Sequence, residues 1–258
     1  MKKEKFKFIY GPVFSWRLGR SLGIDPLSQE EKICSFDCIY CQVGRAAPLS
    51  CARKEYVPAS LILNEIKQLS PQIKIDYITF SGKGEPTLAK NLGDLIRGVK
   101  KIRKEPVAVI TNASLIDNPR VRKDLCLADF VMAKLDAGSP DVFSAVNHPW
   151  SAIKLRKIVN GLAAFRREYK GRLGLQIMFV KKNIKEAAKI AGIAAEVCVD
   201  EIQINTPLRK SRCRPLSMAE LNEIKKVFQG FVVVSVYEGR KKAVRPINAR
   251  ATLQRRGV

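Results

Sequence analysis

Cys34, Cys38 and Cys41 stand in the run Cys34-Ser-Phe-Asp-Cys38-Ile-Tyr-Cys41, three thiols within eight residues. Thiolates so spaced can wrap one corner of a cubane iron–sulfur cluster and leave the fourth iron without a protein ligand. That open iron can bind a substrate or a cofactor. A structural zinc site is the competing chemistry, but it asks for four ligands, usually in paired knuckles. The only imidazole available to complete one, His148, lies far along the chain in Asn147-His148-Pro149-Trp150. The donor set therefore favours iron–sulfur.

The chain has seven cysteines, an odd number, and its tightest group has ligand spacing rather than the dispersed pairing of a secreted disulfide scaffold. Cys126 and Cys198 sit in apolar, helix-like contexts and read as core thiols. Cys51 and Cys213 lie in loops beside arginines, where a thiolate is more reactive. No compact spacing among these four supports a second cluster. His148 reads as a loop residue before a proline, although any imidazole acid–base step would have to use it.

The elements that must position the triad follow a repeating βα pattern. Apolar, β-rich runs at 77–81, 107–111, 130–135, 173–180, 201–205 and 231–237 read as strands. Segments of helical period at 58–69, 88–103, 119–127, 152–169, 184–195 and 217–228 read as helices. Pro58, Asn118-Pro119 and the Ser217/Glu220 capping pair mark helix starts, and Gly171 and Gly230 follow helix ends. A first strand is expected at 21–24, which puts the cysteine loop at its carboxyl end. The pattern predicts an α/β fold with a parallel sheet, and the carboxyl edge of such a sheet is where ligands bind.

Composition sets the outer limits. At 258 residues the chain suits one large α/β domain, and a compact chain of this size buries roughly 70–75% of its unfolded surface without needing disulfides. The start, Met1-Lys-Lys-Glu-Lys-Phe-Lys-Phe, has no apolar stretch long enough for a signal peptide, and no later run approaches a membrane span. A cytoplasmic protein with no membrane partner is expected. Lys and Arg number 47 against 24 Asp and Glu, a formal net charge of +23, which points to a polyanionic partner, RNA foremost. Residues 1–238 are expected to form the core domain, and 239–258, without one acidic residue, a basic tail, either a solvated terminus or a phosphate-binding arm.

With aromatic Tyr40 just before its last cysteine, the Cys-x3-Cys-x2-Cys run resembles the radical S-adenosylmethionine (SAM) superfamily, whose core is a partial (β/α)6-type TIM barrel. The segment Gly11-Pro-Val-Phe-Ser15-Trp-Arg17-Leu-Gly-Arg20-Ser-Leu-Gly-Ile-Asp25-Pro26 and Cys41-Gln-Val-Gly44 resemble the branch grouped with wyosine tRNA-modification synthases. Those synthases carry a second cysteine triad ahead of the cluster motif, and here no cysteine precedes Cys34. The resemblance is therefore carried to the family and not to their pyruvate-condensing reaction. It implies a [4Fe-4S] cluster on Cys34, Cys38 and Cys41 whose open iron chelates SAM, and reductive cleavage of SAM to methionine and a 5′-deoxyadenosyl radical. The protein's part is positioning and exclusion of water.

Further site residues follow from the resemblance. Thr79-Phe-Ser81-Gly82-Lys83-Gly84-Glu85-Pro86 ends a strand and matches the glycine–glutamate motif that meets the SAM amino group, with Gly82 and Gly84 letting backbone approach the ligand. Lys83 replaces the small residue expected between those glycines; pointing inward it would bind a substrate anion or form a Schiff base, pointing outward it is a surface charge. Polar residues at later strand ends are expected on the same edge: Asn112, then Lys134 and Asp136 near the SAM ribose, and Gln176, Met178, Gln203 and Asn205 near its adenine or the substrate. The apolar flanks of Lys134 suit amine chemistry.

Three functions are compatible with these residues. The first is a radical SAM enzyme acting on RNA, a tRNA base in particular, which joins the cluster to the charge. The second is radical chemistry on a protein or small metabolite, the basic surface serving an acidic electron donor such as flavodoxin or ferredoxin. The third is a noncatalytic iron–sulfur RNA-binding protein, against which the glycine–glutamate strand end argues.

Overall fold

The computed structural model describes residues 6–46, 48–239 and 244–256. Eight strands form a single sheet in sequence order: β1 (Ile9–Ser15), β2 (Gly19–Ile24), β3 (Tyr77–Phe80), β4 (Val107–Thr111), β5 (Phe130–Lys134), β6 (Arg172–Met178), β7 (Glu201–Asn205) and β8 (Val233–Ser235). β1 pairs antiparallel with β2, and every later neighbour pairs in parallel. Among the described residues no ladder joins β8 back to β1. The sheet is a curled partial barrel, α/β in class as expected, with β1 added ahead of the anticipated first strand.

Helices α1 (Ala59–Lys67), α2 (Leu92–Ile102), α3 (Pro119–Leu125), α4 (Pro140–Asn147), α5 (Leu155–Glu168), α6 (Ala187–Val197) and α7 (Met218–Lys226) fill the connections. Asn118 caps α3 by accepting from the Arg120 N–H, and Ser217 with Glu220 forms the expected capping box on α7. The helical period that suggested one helix from 88 is divided by Ala89-Lys90-Asn91, so that a 3-10 turn at Pro86–Leu88 precedes α2. The short α4 escapes the periodicity test, since eight residues offer barely two turns of pattern.

Successive strand residues face opposite sides of the sheet, and the burial follows. Ile78, Val109, Val131 and Leu173 on one face join the main core under the helices. On the inner face Ala108, Phe130 and Met132 meet Leu18, from the β1–β2 turn, in a small separate cluster. Leu18 sits beside the amino ends of β4 and β5 and thus floors the barrel. Near-continuous burial along β4, β5 and β7 is the signature of parallel strands covered on both sides.

The last helix, α8 (Ala249–Arg256), was expected as part of a basic tail; within that stretch residues 240–243 and 257–258 lie outside the described residues. α8 docks on β1. The Gly11 N–H donates to Thr252 Oγ1 at 3.0 Å, and Ala251 and Thr252 are buried. Arg255 reaches across to Asp25 at the end of β2, Nε to Oδ2 at 3.0 Å. The helix covers the free edge that an open barrel leaves at β1, and its basic sequence gave no periodic sign of this because only two of its residues are buried.

Candidate active site

The three cysteines lie on the loop that leaves β2, and neighbouring elements hold that loop by its backbone. Ile33 forms a bridge to Gly84, with the Glu85 N–H donating to the Ile33 carbonyl at 3.0 Å. The Asp37 and Ile39 N–H groups donate to the His148 and Val146 carbonyls at 3.1 and 2.9 Å, and the Trp150 N–H to the Ser35 carbonyl at 2.9 Å. α4 and the residues after it therefore act as a splint for the cysteine loop. His148 contributes this carbonyl from a left-handed position capping α4, with its side chain exposed.

Cys34, Cys38 and Cys41 face one cavity of about 280 Å³, together with Lys32, Tyr40, Gly82, Gly84, Glu85, Asn112, Lys134 and Met178. Asn112 Nδ2 approaches Cys34 Sγ at 3.6 Å, Asn147 Nδ2 approaches Cys38 Sγ at 3.5 Å, and Lys32 Nζ donates to Cys41 Sγ at 3.1 Å. Each thiol thus has its own polar neighbour. Burial pushes the Cys34 thiol up to about 12 and the Cys38 thiol to about 11, the latter helped by Asp136. Burial of the Lys32 ammonium works to lower its pKa, but the surrounding cysteines outweigh it and the value is raised.

The glycine–glutamate strand end is built for close packing. A Cβ on Gly84 would lie 1.9 Å from the Ile33 carbonyl oxygen, and one on Gly82 would lie 2.4 Å from Asp25 Cγ. Both glycines let the strand end touch the cysteine loop and β2 while they line the cavity. Glu85 is buried and accepts from the Thr87 N–H and hydroxyl, the Thr111 hydroxyl and the Asn112 N–H at 3.0, 2.6, 2.6 and 2.6 Å. Burial nevertheless keeps its pKa raised against all of these donors. Glu85 ties the end of β3 to that of β4, and Asn112 carries the tie on to Ser35 at 2.9 Å.

A second knot lies across the cavity. Asp136, 2% exposed, accepts from the Met178 N–H at 2.7 Å, from Asn147 Nδ2 at 2.8 Å and from the Tyr40 hydroxyl. Lys134 Nζ stands 3.5 Å from Asp136 Oδ1 and 4.8 Å from the centre of the Tyr40 ring. Burial, with Asp136 adding to it, holds the Tyr40 phenol well above its ordinary value, so it is a donor at neutral pH. Lys134 lines the cavity, whereas Asp136 sits behind it as the hub.

Strand register sets the remaining residues. Lys134, Gln176 and Gln203 are neighbours across β5, β6 and β7, and Met178 pairs with Asn205 one step further on. Of these only Lys134 and Met178 line the cavity. Gln203 donates to Glu201 within the barrel, and Asn205 accepts from the Thr206 N–H at 2.9 Å. Lys83 stands apart: its ammonium binds the Glu30 carbonyl, and its side chain borders a separate surface hollow with Asp25, Ser28 and Gln254. Sequence reasoning missed Lys32, Asn147, Arg17 and Arg209 among the residues around the cavity. Lys32 was the most accessible of these, two residues before Cys34.

The model of the radical SAM superfamily matches residues 32–193, from the cysteine loop into α6. The chain belongs to the radical SAM superfamily and to its UPF0026 group. It is 41% identical over 205 residues to a UPF0026 protein of Synechocystis, covering 79% of this chain and 77% of that one. It is 34% identical over 228 residues to a UPF0026 protein of Methanocaldococcus jannaschii, covering 86% and 70%. Among solved structures, one of TYW1 with a lysine–pyruvate adduct bound superposes with a TM-score of 0.62 at 18% identity, covering 90% of this chain and 78% of that one. At that identity the likeness is one of fold.

This radical SAM enzyme's family implies a [4Fe-4S] cluster and SAM, and the residues fit both. Three thiols border one cavity, each beside a donor or a cation that can offset thiolate charge. Among the described residues no three His, Cys, Asp or Glu side chains converge where a single metal ion could sit. Sulfurs spread around an open space suit a polynuclear cluster, in which each iron takes one thiolate, better than a lone zinc. Among the described residues no helix is long and apolar enough to cross a membrane.

Proposed function

We propose that this enzyme cleaves SAM reductively at a [4Fe-4S] cluster held by Cys34, Cys38 and Cys41 and uses the radical to modify RNA, a tRNA base foremost. The observation that carries the reading is one cavity bordered by the cysteine triad, the Gly82–Glu85 strand end and Lys134. When bound, the cluster supplies the electron that breaks the SAM sulfonium to give methionine and a 5′-deoxyadenosyl radical.

The chain's own residues do the positioning. Glu85 and Asn112 fix the strand ends against the cysteine loop. Tyr40, Asn147 and Asp136 fix its other side, and Lys134 offers a cation to the chamber. Lys32 compensates thiolate charge at Cys41. Gln176 and Gln203, level with Lys134, supply polar groups inside the barrel, Asn205 one at the carboxyl end of β7, and Met178 an apolar wall for a purine.

The net charge of +23 supports RNA as the partner. A base reaching this cavity has to be splayed from its stack. The same basic surface suits an acidic donor such as flavodoxin or ferredoxin. The test is to incubate the reconstituted enzyme with SAM, dithionite and bulk tRNA, digest the tRNA, and compare its nucleosides by mass spectrometry with a control lacking SAM. A new nucleoside, with 5′-deoxyadenosine formation stimulated by tRNA, is the expected result; 5′-deoxyadenosine indifferent to tRNA would redirect the search to proteins and metabolites. Binding is expected to weaken with salt, log K falling with a slope near −0.9 per phosphate neutralised on duplex and about −0.7 on single strands.

A further inference from the structure

The cavity also holds a group that the chemistry above leaves unused. Arg17 lies in the turn between β1 and β2, and its Nε and Nη1 are buried without a hydrogen-bond partner among the described residues. Its guanidinium stacks over the Trp16 ring with 4.8 Å to the centroid. Arg209, from the loop after β7, and Arg256, at the end of α8, border the same cavity. None of the three forms an ion pair with a described residue; Arg209 Nη1 donates to the Arg256 carbonyl. The acid nearest to compensating Arg17 is Glu201, which is taken up by Arg172 and Gln203.

Such an arrangement is costly for an empty protein. Arg17 as a whole is half-buried, but leaving its two sealed N–H groups without acceptors costs about 1–3 kcal/mol, and like charges adjoin it. Burial, with Arg209 and Arg256 adding to it, pulls the Arg17 guanidinium down to about 10. Burial does the same to Arg209, again with Arg256 beside it. The fold gains no compensating contact from Arg17 beyond its indole neighbour. A ligand that brings negative charge and several acceptor oxygens would complete it.

We propose that Arg17, Arg209 and Arg256 form a phosphate subsite for the substrate. The proposal rests on reading the cavity as a radical SAM substrate chamber and narrows that reading to a phosphate-bearing substrate. Three guanidinium groups without a carboxylate match the charge and the multiple oxygens of a phosphate, whereas a carboxylate offers two oxygens and one charge. The site spans the cavity: Arg209 lies past the carboxyl end of β7, its carbonyl accepting from Gln42 Nε2, next to Cys41, at 3.5 Å. Arg17 enters from the turn at the opposite end of β2, beside the floor residue Leu18, and the polar neighbours of the thiols are Lys32, Asn112 and Asn147.

Trp16 provides a reporter, because the chain has only one other tryptophan, Trp150. In the cluster-loaded Trp150→Phe enzyme with SAM present, inorganic phosphate is titrated against acetate at constant ionic strength while Trp16 emission is followed. The expected result is a saturable change with phosphate and none with acetate. Phosphate affinity should fall roughly 10–100-fold in Arg17→Met and in Arg209→Met, the equivalent of one lost hydrogen bond to a charged group. Arg17→Lys, which keeps the charge but not the fork, should fall between.

Because Arg17→Met removes two buried N–H groups that have no acceptor, its melting temperature should equal or exceed that of the parent, which a merely structural arginine would not allow. Displacement of phosphate by bulk tRNA would place the phosphate on RNA; displacement by a nucleoside monophosphate alone would place it on a small nucleotide. Either supports the site, and displacement by neither overturns it. An inert Trp16, equal binding of acetate, or unchanged phosphate binding in Arg17→Met would also overturn it. None of these readings needs SAM cleavage, so failure of the radical reaction would be seen separately.

Discussion

Arg255→Met tests whether the C-terminal helix is a working wall of the barrel. The Arg255–Asp25 pair is buried, with side chains 9% and 2% exposed. Arg255 also donates to the Lys7 carbonyl at 2.7 Å and to Ser28 Oγ at 3.0 Å, so one side chain fastens α8 to both ends of the first hairpin. Removing one partner of a buried pair costs about 3–5 kcal/mol, because the other charge is left behind. Asp25 would keep the Leu27, Ser28 and Lys83 N–H donors at 3.2, 3.1 and 3.3 Å, which selects the lower end, about 3 kcal/mol. At roughly 2–4 °C per kcal/mol for a chain of this size, the melting temperature should fall by about 6–12 °C. Hydrogen exchange in 249–256 should quicken by roughly 100-fold as the helix frees itself. With Asp25→Asn as the second substitution, a double-mutant cycle should return a coupling of about 2 kcal/mol. A melting shift below about 2 °C, or a coupling within ~0.5 kcal/mol of zero, would refute the claim that this pair holds the helix.

Three further outcomes follow from the site. Lys32→Met should retain iron but lower the cluster's reduction potential by roughly 60–130 mV, the one-electron equivalent of losing a hydrogen bond from a charged donor, as read by a redox titration followed by electron paramagnetic resonance; an unchanged potential would remove Lys32 from the cluster's surroundings. Gly84→Ala drives a methyl into the Ile33 carbonyl 1.9 Å away, so it should destabilise the protein by about 1–3 kcal/mol and cut iron retention, and full iron loading would contradict the bridge. In the cluster-free protein the thiols of Cys34 and Cys38, pushed up to about 12 and 11 by burial, are neutral at pH 8. Iodoacetamide should therefore reach the exposed Cys198 first, and Cys34 and Cys38 should speed up only as pH rises toward those values; peptide mass spectrometry that finds them fully alkylated at pH 8 would sink this assignment.

Much of this fold could be read from the chain because parallel strands are short, carry β-branched or aromatic residues and are separated by helices of clear period. β4 and β7 coincide with their predicted bounds for that reason. β1 did not announce itself: its Gly11 and Pro12 are poor strand formers, and its place is set by pairing with β2. α8, with three arginines and no acid, docks through Ala251, Thr252 and the Arg255 pair, which make no amphipathic pattern.

The site divides along the same line. Contiguous motifs such as the cysteine triad and Gly82–Glu85 are legible because their chemistry demands fixed spacing. Asn147, Arg17 and Arg209 come from distant segments and become neighbours only when the barrel curls, whereas Lys32 was within local reach, two residues before Cys34. The glycines illustrate a subtler gap. Their spacing suggested backbone held open for a ligand, while Gly84 also meets a second chain segment, the Ile33 carbonyl, that no local pattern encodes. Lys83, next to them in sequence, turns to the Glu30 carbonyl.

The most direct test of the account is 5′-deoxyadenosine formation. The protein is reconstituted anaerobically with iron and sulfide, reduced with dithionite and given SAM, and the product is quantified by mass spectrometry beside Cys38→Ala prepared in the same way. Wild type should yield 5′-deoxyadenosine and methionine, and Cys38→Ala should lose both the iron and the product. An intact cluster in the wild type that leaves SAM uncleaved, or cleavage that survives in Cys38→Ala, would contradict the claim that these three cysteines carry the chemistry.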